Sequence, residues 1–249
     1  MLHEINTPYS VETIYARSPI GDRMAKLNNP VFEWLGLALG AVWCEFEEKL
    51  STIDIVKKIE SKHLSLAEYQ SYLLNMRQQV KEGSRWISRA ASSMDDSHAL
   101  LRNALIAHSA AEHKDFTMLE QDYVKVGGEL SRIQTAEKNI GSEALHAYIF
   151  AQASQTNPVH AFGATFIIEG MGTKKAGLWA HCISKALSMP IEDISFLYYH
   201  GKADEDHYEN LMKILTSPFI TEEVAVRLVK CAKVVARLYA LQLEELNQY

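Results

Sequence analysis

FLYYHGKADEDH, residues 196–207, is the stretch on which the fold turns. It sets His200, Asp204 and His207 at the spacing H-x3-D-x2-H. On an α-helix, positions i, i+4 and i+7 share one face. That face continues into Phe196 and Leu197 on one side and Leu211, Ile214 and Leu215 on the other, all core residues by type. Three polar side chains therefore interrupt an apolar stripe. A carboxylate between two imidazoles is costly to bury unless it is paired or bound to a cation. The bland alternative is a polar kink at Gly201, through which Lys202, Glu205 and Asp206 reach water.

The same interruption occurs a second time. His108, Glu112 and Asp115 stand at i, i+4 and i+7, with Leu101 and Leu105 before them and Leu119 and Val126 after. Glu169 is a third candidate, because its helical face includes Phe162 and Phe166. These residues supply carboxylates and imidazoles from three helices. Such donor sets inside helical bundles suit iron or manganese, whereas thiolates would point to zinc.

Bulk composition agrees with a helical globular protein. Of 249 residues, 47% are hydrophobic and 22% charged. The net charge of -6 provides no basic field for nucleic acid or an anionic membrane surface, so neither partner is expected. Cys44, Cys182 and Cys231 lie far apart, which argues against a disulfide framework and fits a reducing cytoplasm. The opening MLHEINTPYS has no basic stretch followed by an apolar core, so no signal peptide is expected.

Helical periodicity dominates, and the expectation is an all-α chain of roughly seven to nine helices. Residues 1–29 are expected to be irregular and residues 30–249 to form one domain. Pro30 suits the first turn of a helix, and Ser65 with Glu68 forms a capping-box pattern. SSMDDS, residues 92–97, breaks that second helix and caps a third ending at Gly127-Gly128. Gly170 and Gly172 are expected to bend or break a helix that begins near Val159, and Thr221 caps a long last helix. That amphipathic helix packs on the bundle or on a second copy, so a homodimer is one expectation. Lys174-Lys175 is expected to be a solvated turn.

FLYY followed by HGKADEDH resembles the last ligand helix of the heme-oxygenase-like diiron oxidases and oxygenases. These belong to the superfamily that also holds TenA-type thiaminases and the pyrroloquinoline-quinone synthase. The family pattern on that helix matches His200, Asp204 and His207 position for position, and its single upstream glutamate falls on Glu169. The resemblance implies a heme-oxygenase-like bundle holding one or two iron ions, which reacts with dioxygen to oxidise a small organic substrate. One part departs from the pattern. Where the family has a glutamate and then a histidine, this chain has His108 and Asp115, with Glu112 on the same face to take a carboxylate role. Two ions, one ion or none are therefore the alternatives.

Other arrangements would draw on other residues. A ferritin-like site would use Glu143 and His146 beside Glu112, Glu169, Asp204 and His207. A TenA-like enzyme would place Cys182 in the pocket, and a cofactor-free oxidase would line it with Tyr198, Tyr199 and Tyr208. A non-enzymatic small-molecule-binding protein on the same fold is the alternative from a different class.

Overall fold

A computed structural model describes residues 2 and 4–246, without the side chains of residues 203–207. Among the described residues every regular element is helical. No described helix is long and apolar enough to cross a membrane.

Local chemistry starts the helices where the sequence places their caps. Asn29 Oδ1 accepts from the backbone N–H groups of Val31 and Phe32, opening α2 (Pro30–Thr52) with proline in its first turn. Ser65 and Glu68 close a reciprocal capping box on α4 (Leu66–Ser92). Glu68 N–H donates to Ser65 Oγ at 3.3 Å, and Ser65 N–H donates to Glu68 Oε2 at 2.9 Å. Ser65→Ala is therefore expected to lower stability by about 1 kcal/mol. Urea denaturation checks it, and an unshifted midpoint would show that the box contributes nothing.

The rest of the helical count exceeds the expected one for two reasons. Three short helices, α1 (Val11–Arg17), α3 (Asp54–Glu60) and α7 (Leu130–Thr135), span too few turns to show a periodic stripe. Helices this short are marginal alone and hold only by tertiary packing. Thus α1 interrupts the stretch expected to be irregular. Its buried Ile14 docks on α2 at Gly40, where an added Cβ would lie 2.4 Å from Ile14 Cγ2. Second, the expected third helix divides into α5 (Ala99–Ala111) and α6 (Phe116–Lys125), joined by a 3₁₀ turn over Glu112–Lys114.

The remaining elements are α8 (Ile140–Ala153), α9 (Phe162–Met171), α10 (Gly177–Leu187), α11 (Ser195–Leu215) and α12 (Glu222–Glu244). Between α9 and α10 the chain stays helical, but residues Gly172–Ala176 form a wider π-helical turn rather than a break. The last helix packs on the bundle. α12 runs against α2, α8 and α9, burying Ala225, Leu228, Ala232, Val235, Tyr239 and Leu243 along one stripe. On its outer side Lys233 reaches Glu45 at 3.1 Å. α4 packs on α5, α6 and α8, and α11 packs on α6, α9, α10 and the π turn. The space between these groups holds the site.

Candidate metal centre

Five of the seven expected ligands have described side chains, and all five come together. The 3₁₀ turn explains part of this convergence. Side chains at i and i+3 eclipse in such a turn, so Glu112 and Asp115 face the same way, towards α11. Donor atoms of Glu112, Asp115 and His200 all lie within 4.8 Å of one another. His108, from the last full turn of α5, brings Nε2 to 3.7 Å from Glu112 Oε1 and 3.2 Å from Glu169 Oε1. Glu169 sits near the end of α9 and is 7% exposed. Asp204 and His207 fall within the span of α11, but their side chains lie outside the described residues.

Electrostatics make the cluster unusual. Three carboxylates meet two imidazoles in a half-buried to buried setting. Burial works against a charged His108, but hydrogen bonds and charge from Glu112 and Glu169 outweigh it and raise its pKa to about 10. His200 poses a different problem. Its Nδ1 lies 2.9 Å from the Phe196 carbonyl oxygen one turn back. A carbonyl oxygen only accepts, so Nδ1 carries the proton. Nε2 then faces Asp115 Oδ2 at 3.2 Å. In the neutral imidazole this sets a lone pair against a carboxylate oxygen. The contact is favourable only when Nε2 is also protonated or when a cation sits between the two groups. A histidine whose other nitrogen donates to a backbone carbonyl is oriented as metal ligands are. Mixed carboxylate and imidazole donors with this orientation could hold a metal ion.

Asp122 and the close packing of Gly201 hold α11 in place. Asp122, on α6 one further helical stretch from Asp115, is fully buried. Its Oδ1 accepts from Ser195 Oγ at 2.6 Å and its Oδ2 from Phe196 N–H at 3.0 Å, which caps α11 from outside. Gly201 does not form the polar kink considered above. The helix runs straight through it, and Gly201 packs against Gly177, with room for no side chain. The π turn beside it shifts the phase of the residues that follow Glu169. It carries Lys175 inward to pair with Glu47 at 3.3 Å and Glu60 at 3.7 Å. Lys175 is thus largely buried under α2 and α3, not part of a solvated turn.

The other carboxylate and histidine pairs do not join the cluster. Glu143 is exposed, and His146 Nδ1 instead accepts from Trp86 Nε1 at 2.9 Å. The ferritin-like arrangement therefore has no second pair at this centre. Asp95 caps a 3₁₀ turn at the surface beside His98, and Glu60 accepts from Trp179 Nε1.

A cavity of about 140 Å³ opens on the cluster, with His108, Glu112, Glu169 and His200 in its wall. Most of the remaining wall is apolar and comes from α4, α9, α11 and α12, including Ile87, Phe162, Ile168 and Leu197. Trp86 and Trp179 line it, while Trp43 belongs to the packed core. Among the described residues no lysine, arginine or cysteine lines the cavity. Cys182 is buried on α10 away from it. Tyr198, Tyr199 and Tyr208 are also outside its wall; the Tyr198 hydroxyl accepts from Lys202 Nζ at 2.7 Å. The cavity wall on α4 and α12 was not visible in the sequence, because Gln79 is one of a polar run, Arg77-Gln78-Gln79, and Tyr239 stands singly between Leu238 and Ala240.

No protein-family model matches the sequence, and no curated protein matches it. Solved structures do. The chain is similar to a domain of unknown function with a heme oxygenase-like fold from Shewanella denitrificans, with a TM-score of 0.77 at 17% identity. That likeness covers 83% of this chain and 89% of the other. A TenA homologue from Pseudomonas syringae pv. tomato matches with a TM-score of 0.67 at 13% identity, covering 86% of this chain and 93% of that one. A TenA homologue from P. horikoshii matches with a TM-score of 0.69 at 15% identity, covering 86% and 98%. At these identities the likeness establishes the architecture: the chain has the heme-oxygenase-like fold.

Proposed function

We propose that this heme-oxygenase-like chain is a non-heme iron oxidase or oxygenase that uses dioxygen to oxidise a small organic substrate. One observation supports it above the others. Glu112, Asp115 and His200 converge their donor atoms on one point, with His200 Nδ1 donating to the Phe196 carbonyl and Nε2 turned to Asp115 Oδ2 at 3.2 Å. Glu112, Asp115 and His200 would hold the first ion, with Glu169 and His108 beside them. The H-x3-D-x2-H pattern adds Asp204 and His207 to that set, enough donors for a second ion. Iron, when bound, supplies the redox chemistry that activates dioxygen.

What the chain itself does follows from its residues. The Phe196 carbonyl keeps the His200 proton on Nδ1 and so turns Nε2 toward Asp115. Asp122 fixes the start of α11 and with it the position of His200. The apolar wall excludes water and holds the substrate against the cluster. His108 places its Nε2 proton between Glu112 and Glu169 and offsets part of their charge.

Anaerobic titration with ferrous iron tests the reading. Wild-type protein is expected to bind one or two equivalents, and His200→Ala and Asp115→Asn to weaken binding by at least about tenfold. Oxygen uptake in the presence of substrate should follow the same order. Wild-type protein that takes up no ferrous iron, with a melting temperature unmoved by it, would sink the proposal.

A further inference from the structure

The cavity has a polar feature on the wall built by α4 and α12, helices that contribute none of the five clustered side chains. Gln79 on α4 and Tyr239 on α12 both line it. Behind them lies a buried amide network. Gln242 is fully buried, and its Oε1 accepts from Ser142 Oγ at 3.0 Å. Asn139 Nδ2 donates to the Gln242 carbonyl at 2.9 Å. Gln242 Nε2 lies 3.8 Å from Met76 Sδ and also donates to Gln79 Oε1.

The chemistry of these partners fixes which way each amide points. A thioether sulfur accepts and never donates, so the Gln242 amide nitrogen belongs on the Met76 side. The atom it meets on Gln79 must then be the oxygen, and Gln79 turns its Nε2 the other way. There it hydrogen-bonds the Tyr239 hydroxyl, opposing the burial that pushes that phenol above its usual range. A hydroxyl that accepts from Gln79 keeps its own proton to donate. With the Gln79 oxygen taken by Gln242, the pair that lines the cavity has hydrogen-bond donors, the second Gln79 N–H and the Tyr239 O–H, to offer a ligand.

The charges around the cavity narrow the ligand further. No lysine or arginine lines it among the described residues, and its acidic members are Glu112 and Glu169. In the metal-free protein three carboxylates, Glu112, Asp115 and Glu169, outnumber the charged His108 at this end of the cavity, so a substrate carboxylate would meet net negative charge there. We propose that Gln79 and Tyr239 are the specificity-determining pair of this cavity, and that they select an uncharged, mainly apolar substrate bearing one hydrogen-bond acceptor of the ketone or amide kind. The inference deepens the oxidase reading and rests on it only for what happens at the cluster.

Binding to metal-free protein separates the two claims. Acetophenone, ethylbenzene and benzoate are close in size and differ in the acceptor and the charge. Calorimetry on wild type and Tyr239→Phe is expected to show the acetophenone-to-ethylbenzene affinity ratio falling about tenfold in the variant, the worth of one hydrogen bond. Gln79→Met should reduce the ratio in the same direction, and benzoate should bind more weakly than acetophenone to wild type. A second measurement needs no variant and so survives any misfolding. The carbonyl stretch of isotope-labelled acetophenone bound to wild type should lie below its value in hexane. An unshifted stretch, an unchanged ratio in a folded Tyr239→Phe protein, benzoate as the tightest ligand, or no binding of any of the three overturns the proposal. Ferrous titration of Tyr239→Phe should match wild type, so failure here leaves the metal reading standing, and failure of the metal reading leaves this result intact.

Discussion

Glu120→Ala is expected to lose about 3–5 kcal/mol of stability, the cost of leaving a buried charge without its partner. Arg77 and Glu120 are 8% and 7% exposed. Arg77 donates to Glu120 Oε1 from Nε at 3.1 Å and from Nη2 at 2.7 Å. Its Nη1 donates to the Gln134 carbonyl at 3.4 Å, and its guanidinium lies 5.3 Å from the centre of the Phe116 ring. Gln134 Nε2 in turn donates to Glu120 Oε2 at 3.4 Å. Removing the carboxylate strands the guanidinium among α4, α6 and α7, where little water can replace the lost partner. Replacing both members with apolar residues of similar volume should cost far less, because no charge is then left behind. Urea denaturation of the single and double variants checks this. A single-variant loss below about 1 kcal/mol would mean that water reaches Arg77 after all. The pair also matters to the site. α6 carries Asp122 and follows directly on Asp115, so Glu120→Ala should weaken ferrous binding without touching a ligand.

Neither Arg77 nor Glu120 stood out in the sequence, and the reason is general to what the sequence did and did not reveal. Helix starts were legible at Pro30, Ser65 and Thr221 because capping is settled within about four residues of chain. His108, Glu112, Asp115, Glu169 and His200 were legible for a related reason: polar residues on an apolar helical stripe show at short range that something inside must satisfy them. What depends on distant partners was not legible. Asp122 caps a helix that begins 73 positions later, and nothing near Asp122 announces it. The 3₁₀ turn over Glu112–Lys114 and the π turn over Gly172–Ala176 are departures from regular periodicity, so a reading built on regular periodicity passes over them. Both turns lie at the cluster, and irregular helical turns of this kind recur at functional sites.

Gly201→Leu is expected to cost about 3 kcal/mol or more, the upper end for overpacking, since the atoms it meets are backbone. A Cβ on Gly201 would lie 2.6 Å from Gly177 N and 2.7 Å from Gly177 Cα. No rotamer change relieves such a contact; α11 itself has to move away from the junction of the π turn and α10. His200 is the neighbouring residue, so that movement pulls Nε2 from Asp115 and should abolish ferrous binding even in the fraction that stays folded. The contact is asymmetric, and the asymmetry supplies the control. A Cβ on Gly177 would meet Gly201 Cα at 3.8 Å, an ordinary contact. Gly177→Ala should therefore gain up to about 1 kcal/mol from helix propensity. Gly201→Ala has the same propensity gain available, yet should lose stability and iron affinity together. Thermal melts and ferrous titrations of the two alanine variants decide it. Equal responses would mean that the crossing of α11 over the π turn is looser than its backbone contacts require, and that the site owes its geometry to Asp122 alone.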